Sequence, residues 1–267
     1  MNASDLTVQG IESPYASKAE TIRCFLMTGK NEAYLPPRFN VKEKEYHHVE
    51  FPVPTMKLRP EQSLVMDEID TLMESQDGPC KYAFLHIYTG FGKTVIGSHL
   101  ALTKGLPTLI IVNTDAIRKG WINTFQDQGL ELGKDIHVAS GSQLGRHNVC
   151  ILSIQLATRH KFSRKDYAHY GTVIIDEADV MCTQLAVHEM VKMYPRYMVG
   201  MSATVTRQDG LHKVLDIFWG PRSKWIIRQK SFSKTSSMEI RILHTGFQVE
   251  SHRNRRGALD WTAISTD

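Results

Sequence analysis

What most narrows the folds open to this chain is a short apolar run that breaks on a glycine-rich turn and restarts as a helix. Lys81 to Ile87 (Lys-Tyr-Ala-Phe-Leu-His-Ile) reads as a buried strand, Tyr88-Thr89-Gly90-Phe91-Gly92-Lys93-Thr94 follows, and Thr94 to Thr103 suits a helix. Gly90 and Gly92 let the backbone bend until successive N–H groups face a single anion, at a helix N-terminus whose dipole favours negative charge. In such a loop Lys93 would reach the β- and γ-phosphates of a nucleotide, and the Thr94 hydroxyl would ligate Mg²⁺. The strict phosphate-loop spacing wants glycine where Ile87 stands, so only the core Thr89-Gly90-Phe91-Gly92-Lys93-Thr94 is kept. A turn that merely punctuates strand and helix is the plainer alternative.

A second stretch completes the chemistry. Thr172 to Ile175 is β-branched and continuously apolar, as expected of a central parallel strand covered on both faces, and it ends on Asp176 and Glu177. Ligand groups in open α/β sheets gather at the carboxyl ends of strands. Asp176 is therefore placed to hold Mg²⁺ through water, and Glu177 to orient or deprotonate the water that attacks the γ-phosphate. Paired acids after a strand often serve only as a helix cap. A lysine loop and an acid pair in one chain are jointly explained by a Mg-ATP site.

At this point the sequence resembles a known group. Asp176-Glu177-Ala178-Asp179, followed by Ser202-Ala203-Thr204, is similar to motifs II and III of the superfamily 2 helicases and translocases. Leu58-Arg59-Pro60-Glu61-Gln62, and the run from Met201 to Gly210 that ends near Phe218-Trp219-Gly220-Pro221, resemble the branch holding the type III restriction subunit ATPases, the XPB-type helicases and the helicases of large DNA viruses. The similarity spans about 56–225, with the motifs in order. It implies that Gln62 reads the adenine edge, that Arg59 stacks on the base, and that Ser202 and Thr204 couple nucleotide state to the grip on nucleic acid. Pro60 also suits a first helical position, and Val65, Ile69, Leu72 and Met73 supply an apolar stripe. A solvated Ser-Ala-Thr turn is the plain alternative for the coupling pair.

Nucleic-acid contacts rest on thinner resemblance. Asn113 to Trp121 is similar to motif Ia, with Asn-Thr in place of Pro-Thr and Gly120 in place of glutamine, which leaves Thr114 as its candidate. Cys150 to Gln155 resembles the segment that contacts a strand backbone through Ser153 and Gln155. Hydroxyl and amide donors at helix starts suit phosphate contacts, and suit helix capping equally well. By analogy with the branch, the partner is DNA rather than RNA. A net charge of +4 permits a polyanion without demonstrating one, and Arg159-His160-Lys161 and Arg253-Asn254-Arg255-Arg256 are the kind of runs that usually form solvated faces.

The organisation follows. Residues 1–55 read as an N-terminal extension leaning on the domain. Residues 56–225 read as a RecA-like α/β domain, with strands near 82–87, 108–112, 136–139, 149–152, 172–175 and 197–201 in a mostly parallel sheet covered by helices on both faces. Residues 226–267 read as a connector, with Trp225–Ile227 and Met238–Val249 as strands leading outward. The four cysteines lack paired metal spacing and suit buried reduced thiols; His147 near Cys150 is a faint metal hint. Neither a leader pattern nor a run of eighteen apolar residues occurs, which fits a soluble intracellular protein away from membranes.

The resemblance also implies a partner. Helicases of this type hold ATP between two RecA-like domains, and the second carries a Gln-x-x-Gly-Arg-x-x-Arg segment that this sequence lacks. A missing arginine finger removes roughly 10³ to 10⁵ in turnover, so slow hydrolysis is expected without a second domain, supplied by the rest of a longer gene product or in trans. Two other readings stay open: a catalytically silent module that uses ATP structurally, and a phosphate-loop NTPase of another family.

Overall fold

The computed structural model describes residues 2–11, 19–30 and 32–229. In chain order the strands and helices are β1 (Thr7–Gln9), β2 (Thr21–Arg23), β3 (Leu26–Met27), β4 (Ala33–Tyr34), α1 (Pro60–Glu74), β5 (Lys81–Ile87), α2 (Lys93–Lys104), β6 (Thr108–Val112) and α3 (Asp115–Asp127). They continue as β7 (Ile136–Val138), β8 (Val149–Ser153), α4 (Ile154–His160), α5 (Arg164–Tyr167), β9 (Thr172–Asp176), α6 (Gln184–Met190), β10 (Tyr197–Ser202), α7 (Lys213–Trp219) and β11 (Ile226–Arg228). Seven strands form one sheet in the order β11-β5-β10-β9-β6-β8-β7, and every neighbouring pair in it is parallel.

Parallel strands need crossovers, and crossover helices cover both faces. Successive side chains of a strand point to opposite faces. On β9, Val173 and Ile175 enter a core built with α4, α6 and α7, whereas Ile174 enters a second core with α1, α2 and α3. On β5 the same alternation sends Phe84 to the first core and Ala83, Leu85 and Ile87 to the second. All five residues of β6 and of β9 are buried, which accounts for their unbroken apolar character in the sequence. The polar members of this buried set are Thr108 and Thr172 at the strand starts and one charged side chain, Asp176, the last residue of β9, which falls by parity on the α2–α3 side.

The register brings the functional segments to one edge. Met201 pairs with Asp176, and Ser202 pairs with His86, so β5, β9 and β10 finish side by side. The sequence assigned 226–267 to a connector led by an outgoing strand; β11 instead lies in parallel against Leu85–Ile87 as the seventh strand of the sheet. Trp225, tilted at 37° against the Phe84 ring 4.4 Å away and donating through Nε1 to the Gly220 carbonyl, anchors the chain as it enters β11. The expected strand at 238–249 and the basic run 253–256 lie outside the described residues.

The described residues before β3 pack onto the main core. β1 and β2 pair antiparallel and press Leu6, Val8, Ile22 and Cys24 into the α4–α6–α7 core. Ile11 N–H bonds the Asp209 carbonyl, and the Gln184 side chain bonds both the N–H and the carbonyl of Arg23.

Candidate nucleotide site at the strand ends

The loop after β5 adopts the shape its glycines allow. Gly90 and Gly92 have φ of 90° and 95°, a left-handed region that side-chain-bearing residues seldom enter. A Cβ on Gly90 would meet nothing within 4 Å, so its side of the loop is open; a Cβ on Gly92 would stand 2.4 Å from Gln62 Nε2. Gly92 is the N-cap of α2, and Lys93 and Thr94 are the first two residues of that helix. The Lys93 ammonium donates to the Ile87 carbonyl at 3.2 Å, which keeps it at the strand end.

Gln62 and Arg59 reach this loop from the start of α1. Gln62, 4% exposed, donates through Nε2 to the Phe91 carbonyl at 2.9 Å and accepts at Oε1 from Arg59 N–H at 2.9 Å. The Arg59 guanidinium also donates to the Phe91 carbonyl. Both side chains thus hold the loop itself. The Phe91 ring is buried, edge-on to Tyr88 at 5.4 Å, while its carbonyl takes the bonds from Gln62 and Arg59.

The carboxylates stand across the same edge. Asp176 is 5% exposed; Oδ2 accepts from Trp121 Nε1–H at 2.9 Å and Oδ1 from Glu177 N–H at 3.0 Å. Burial raises its pKa, against the Trp121 hydrogen bond, the nearby Lys93 charge and the Glu177 N–H. Glu177 is likewise raised, first by burial; the Lys93 charge opposes this while Asp176 and Asp179 reinforce it. Lys93 is therefore close enough to act on both acids. Glu177 itself has φ 50° and ψ 54°, an uncommon state for a non-glycine residue that turns the chain sharply off the strand.

Asp179, one turn on, ties the acid loop to the end of β10. Ser202 Oγ donates to Asp179 Oδ1 at 2.6 Å and Thr204 Oγ1 to Oδ2 at 3.2 Å, while Glu177 Oε2 lies 3.5 Å from Ser202 Oγ. Arg207 donates to the Asp179 carbonyl at 3.3 Å and is held by two bonds to Asp209. Both expected coupling residues thus converge on one carboxylate. Asp179 and Arg207 join this cluster, and the sequence reading did not single them out.

The three expected nucleic-acid residues have local structural duties. Thr114 caps α3, accepting from Ile117 N–H at 3.3 Å, and Ser153 caps α4, accepting from Leu156 N–H at 3.2 Å. Gln155 donates to the Asn113 carbonyl and side chain at 2.9 and 2.8 Å, which links the ends of β6 and β8. They still share the edge that carries Lys93 and Asp176, and each capping hydroxyl keeps its own proton free to donate.

Trp121 is the other residue that residue-by-residue reading did not assign. It is fully buried, and its ring occupies the space beside Gly97 of α2, where a Cβ would stand 2.5 Å from Cη2. A glycine in the middle of an amphipathic helix was the available signal. Elsewhere, all four cysteines are buried and free, with burial pushing the Cys24, Cys80 and Cys182 thiols up to about 12. Cys150 bonds the Leu144 carbonyl and His147 stacks on His137 at 4.5 Å, and among the described residues no three His, Cys, Asp or Glu side chains are grouped to hold a metal ion. No helix among the described residues is long and apolar enough to cross a membrane.

Comparison with known proteins agrees with this architecture. Residues 55–207 match the model of the family described as "Type III restriction enzyme, res subunit". The chain is 28% identical over 211 residues to "Putative helicase 109L" of Invertebrate iridescent virus 3, covering 74% of this chain and 59% of that one. It is 27% identical over 215 residues to "Putative helicase 161L" of Invertebrate iridescent virus 6, covering 79% and 46%. The chain thus spans about half the length of the curated relatives it matches. Among solved structures, the Sulfolobus solfataricus SWI2/SNF2 ATPase core in complex with dsDNA superposes with a TM-score of 0.50 at 17% identity, over 67% of this chain and 40% of that one, a likeness of fold.

Proposed function

The chain belongs to the family of the type III restriction enzyme res subunit, as a RecA-like domain of a superfamily 2 helicase, and from that premise we propose that it is the ATP-binding half of a nucleic-acid motor that hydrolyses ATP at the β5–β9 strand ends. The observation that carries the reading is the meeting, at one edge, of an open glycine loop, the Lys93 ammonium and two carboxylates, one buried and one half-buried, whose ionisation that ammonium favours.

Loop N–H groups and Lys93 bind the β- and γ-phosphates, and the α2 N-terminus adds its positive end. The donor set suits Mg²⁺: one hydroxyl (Thr94) and one buried carboxylate (Asp176) beside phosphates are what that ion takes, since it keeps several waters rather than demanding a protein cage. When bound, Mg²⁺ neutralises charge developing on the transferred phosphoryl group. Glu177 accepts a proton from the attacking water as its oxygen bonds to the γ-phosphorus and the bond to the ADP oxygen breaks. Its raised pKa makes it a better base than an ordinary carboxylate. The strained backbone at Glu177 favours a working acid over a silent module.

Gln62 and Arg59 shape the adenine side of the loop while gripping the Phe91 carbonyl. Ser202 and Thr204 report on the acid loop through Asp179. Thr114, Ser153 and Gln155 offer donors to a nucleic-acid backbone, DNA by analogy with the branch. A second RecA-like domain completes the site with arginine. Titration with a fluorescent ATP analogue tests the reading: Lys93→Ala should lose at least about tenfold in affinity, roughly the 1.4 kcal/mol of one good charged contact. Unchanged affinity in a folded Lys93→Ala chain would rule the site out.

A further inference from the structure

We infer that Trp121 is a positioning residue for Asp176: its indole N–H sets the carboxylate in the orientation that receives a divalent cation, so magnesium affinity depends on a side chain that need touch neither cation nor nucleotide. The inference rests on the nucleotide reading above and deepens it.

An aspartate carboxylate turns easily about its last torsion, which is broad and two-fold. Here each oxygen accepts one protein hydrogen bond, Oδ2 from Trp121 and Oδ1 from Glu177 N–H, which fixes the plane and leaves each oxygen capacity for a further partner. The indole suits this role because it only donates and carries no charge. A lysine or arginine in its place would neutralise the acid and compete with a cation. An acceptor would leave the acid unsatisfied. The Trp121 ring cannot wander, being fully buried, 5.8 Å from Phe125 and set into the gap left by Gly97.

The ring's seat also matters. Trp121 lies seven residues into α3, counted from the Thr114 cap, or about 10 Å along the axis. A displacement of α3 at its strand-end start is thus transmitted to the Asp176 carboxylate through one rigid side chain.

The test measures how much Mg²⁺ is needed for half-maximal binding of a fluorescent ATP analogue to the full chain. Trp121→Phe keeps an aromatic ring and removes the donor; it should raise that concentration by about tenfold, the lower end of what loss of an outer partner costs a metal site. Analogue binding in EDTA should stay within about twofold of the parent. Gly97→Ala, which drives the ring from its gap without removing it, should shift the magnesium requirement in the same direction, and carries the test if Trp121→Phe does not fold. A lowered melting temperature with an unchanged magnesium requirement in the folded variants would make Trp121 a packing residue and overturn the inference. Failure of the parent chain to bind the analogue would instead overturn the nucleotide reading, and this inference with it.

Discussion

In the proposed site Glu177 joins an uncommon backbone conformation to a raised carboxylate pKa. Its left-handed backbone costs roughly 1–2 kcal/mol relative to an ordinary conformation, and its carboxylate is half-buried beside Asp176 and Asp179. Because its folded pKa lies above the unfolded value, the residue contributes stability below the unfolded pKa, and that contribution is lost as pH rises through the raised folded pKa. Glu177→Gln should therefore stabilise the ligand-free chain at pH 7, read as a higher melting temperature, and the difference should close near pH 3, below the ordinary glutamate pKa. Calorimetry at both pH values checks this; an unchanged or lower melting temperature at pH 7 would show that the charge is already compensated. Lys93, Thr94, Asp176 and Glu177 could be proposed from the sequence because phosphate and metal chemistry would require those residue types at short local spacing after a strand. Trp121 and Arg207 were not, because their bonds to Asp176 and to the Asp179 carbonyl join positions 55 and 28 residues apart.

The elements were legible to the extent that burial imposes one pattern. Strands covered on both faces must be apolar throughout, so β5, β6, β8, β9 and β10 stand out within a residue or so of their observed ends. β11 carries the same kind of residues, but only its pairing with Leu85–Ile87 makes it part of the sheet. A glycine inside a strand ordinarily weakens it; Gly200 of β10 is there for a contact that the sequence does not announce. Trp219 and Phe84 cross over it, and an added Cβ would stand 2.7–2.8 Å from their rings. Gly200→Ala should destabilise the fold by about 1–3 kcal/mol through overpacking, read as a lowered midpoint in urea with an unchanged slope. A neutral result would mean that α7 can shift on the sheet.

At the scale of the whole molecule, the described residues build one edge of the proposed nucleotide site, and the two arginines named beside it are both engaged, Arg59 with the Phe91 carbonyl and Arg207 with Asp209 and the Asp179 carbonyl. On the proposed reading, the arginine facing the γ-phosphate is supplied by a second RecA-like domain. The chain alone should therefore bind ATP and turn it over roughly 10³ to 10⁵ times more slowly than an assembled motor. A phosphate-release assay would contradict this by giving turnover in the ordinary enzyme range, roughly 1 to 10³ per second. The sequence by itself determined the class of chemistry and the parallel-sheet fold, because phosphate loops and doubly covered strands each impose a local signature. Only the tertiary structure decided which side chains hold those groups still: the Trp121 clamp, the Asp179 junction and the grip of Gln62 on the loop are contacts between distant segments. Their existence depends on register and packing, which no local pattern encodes.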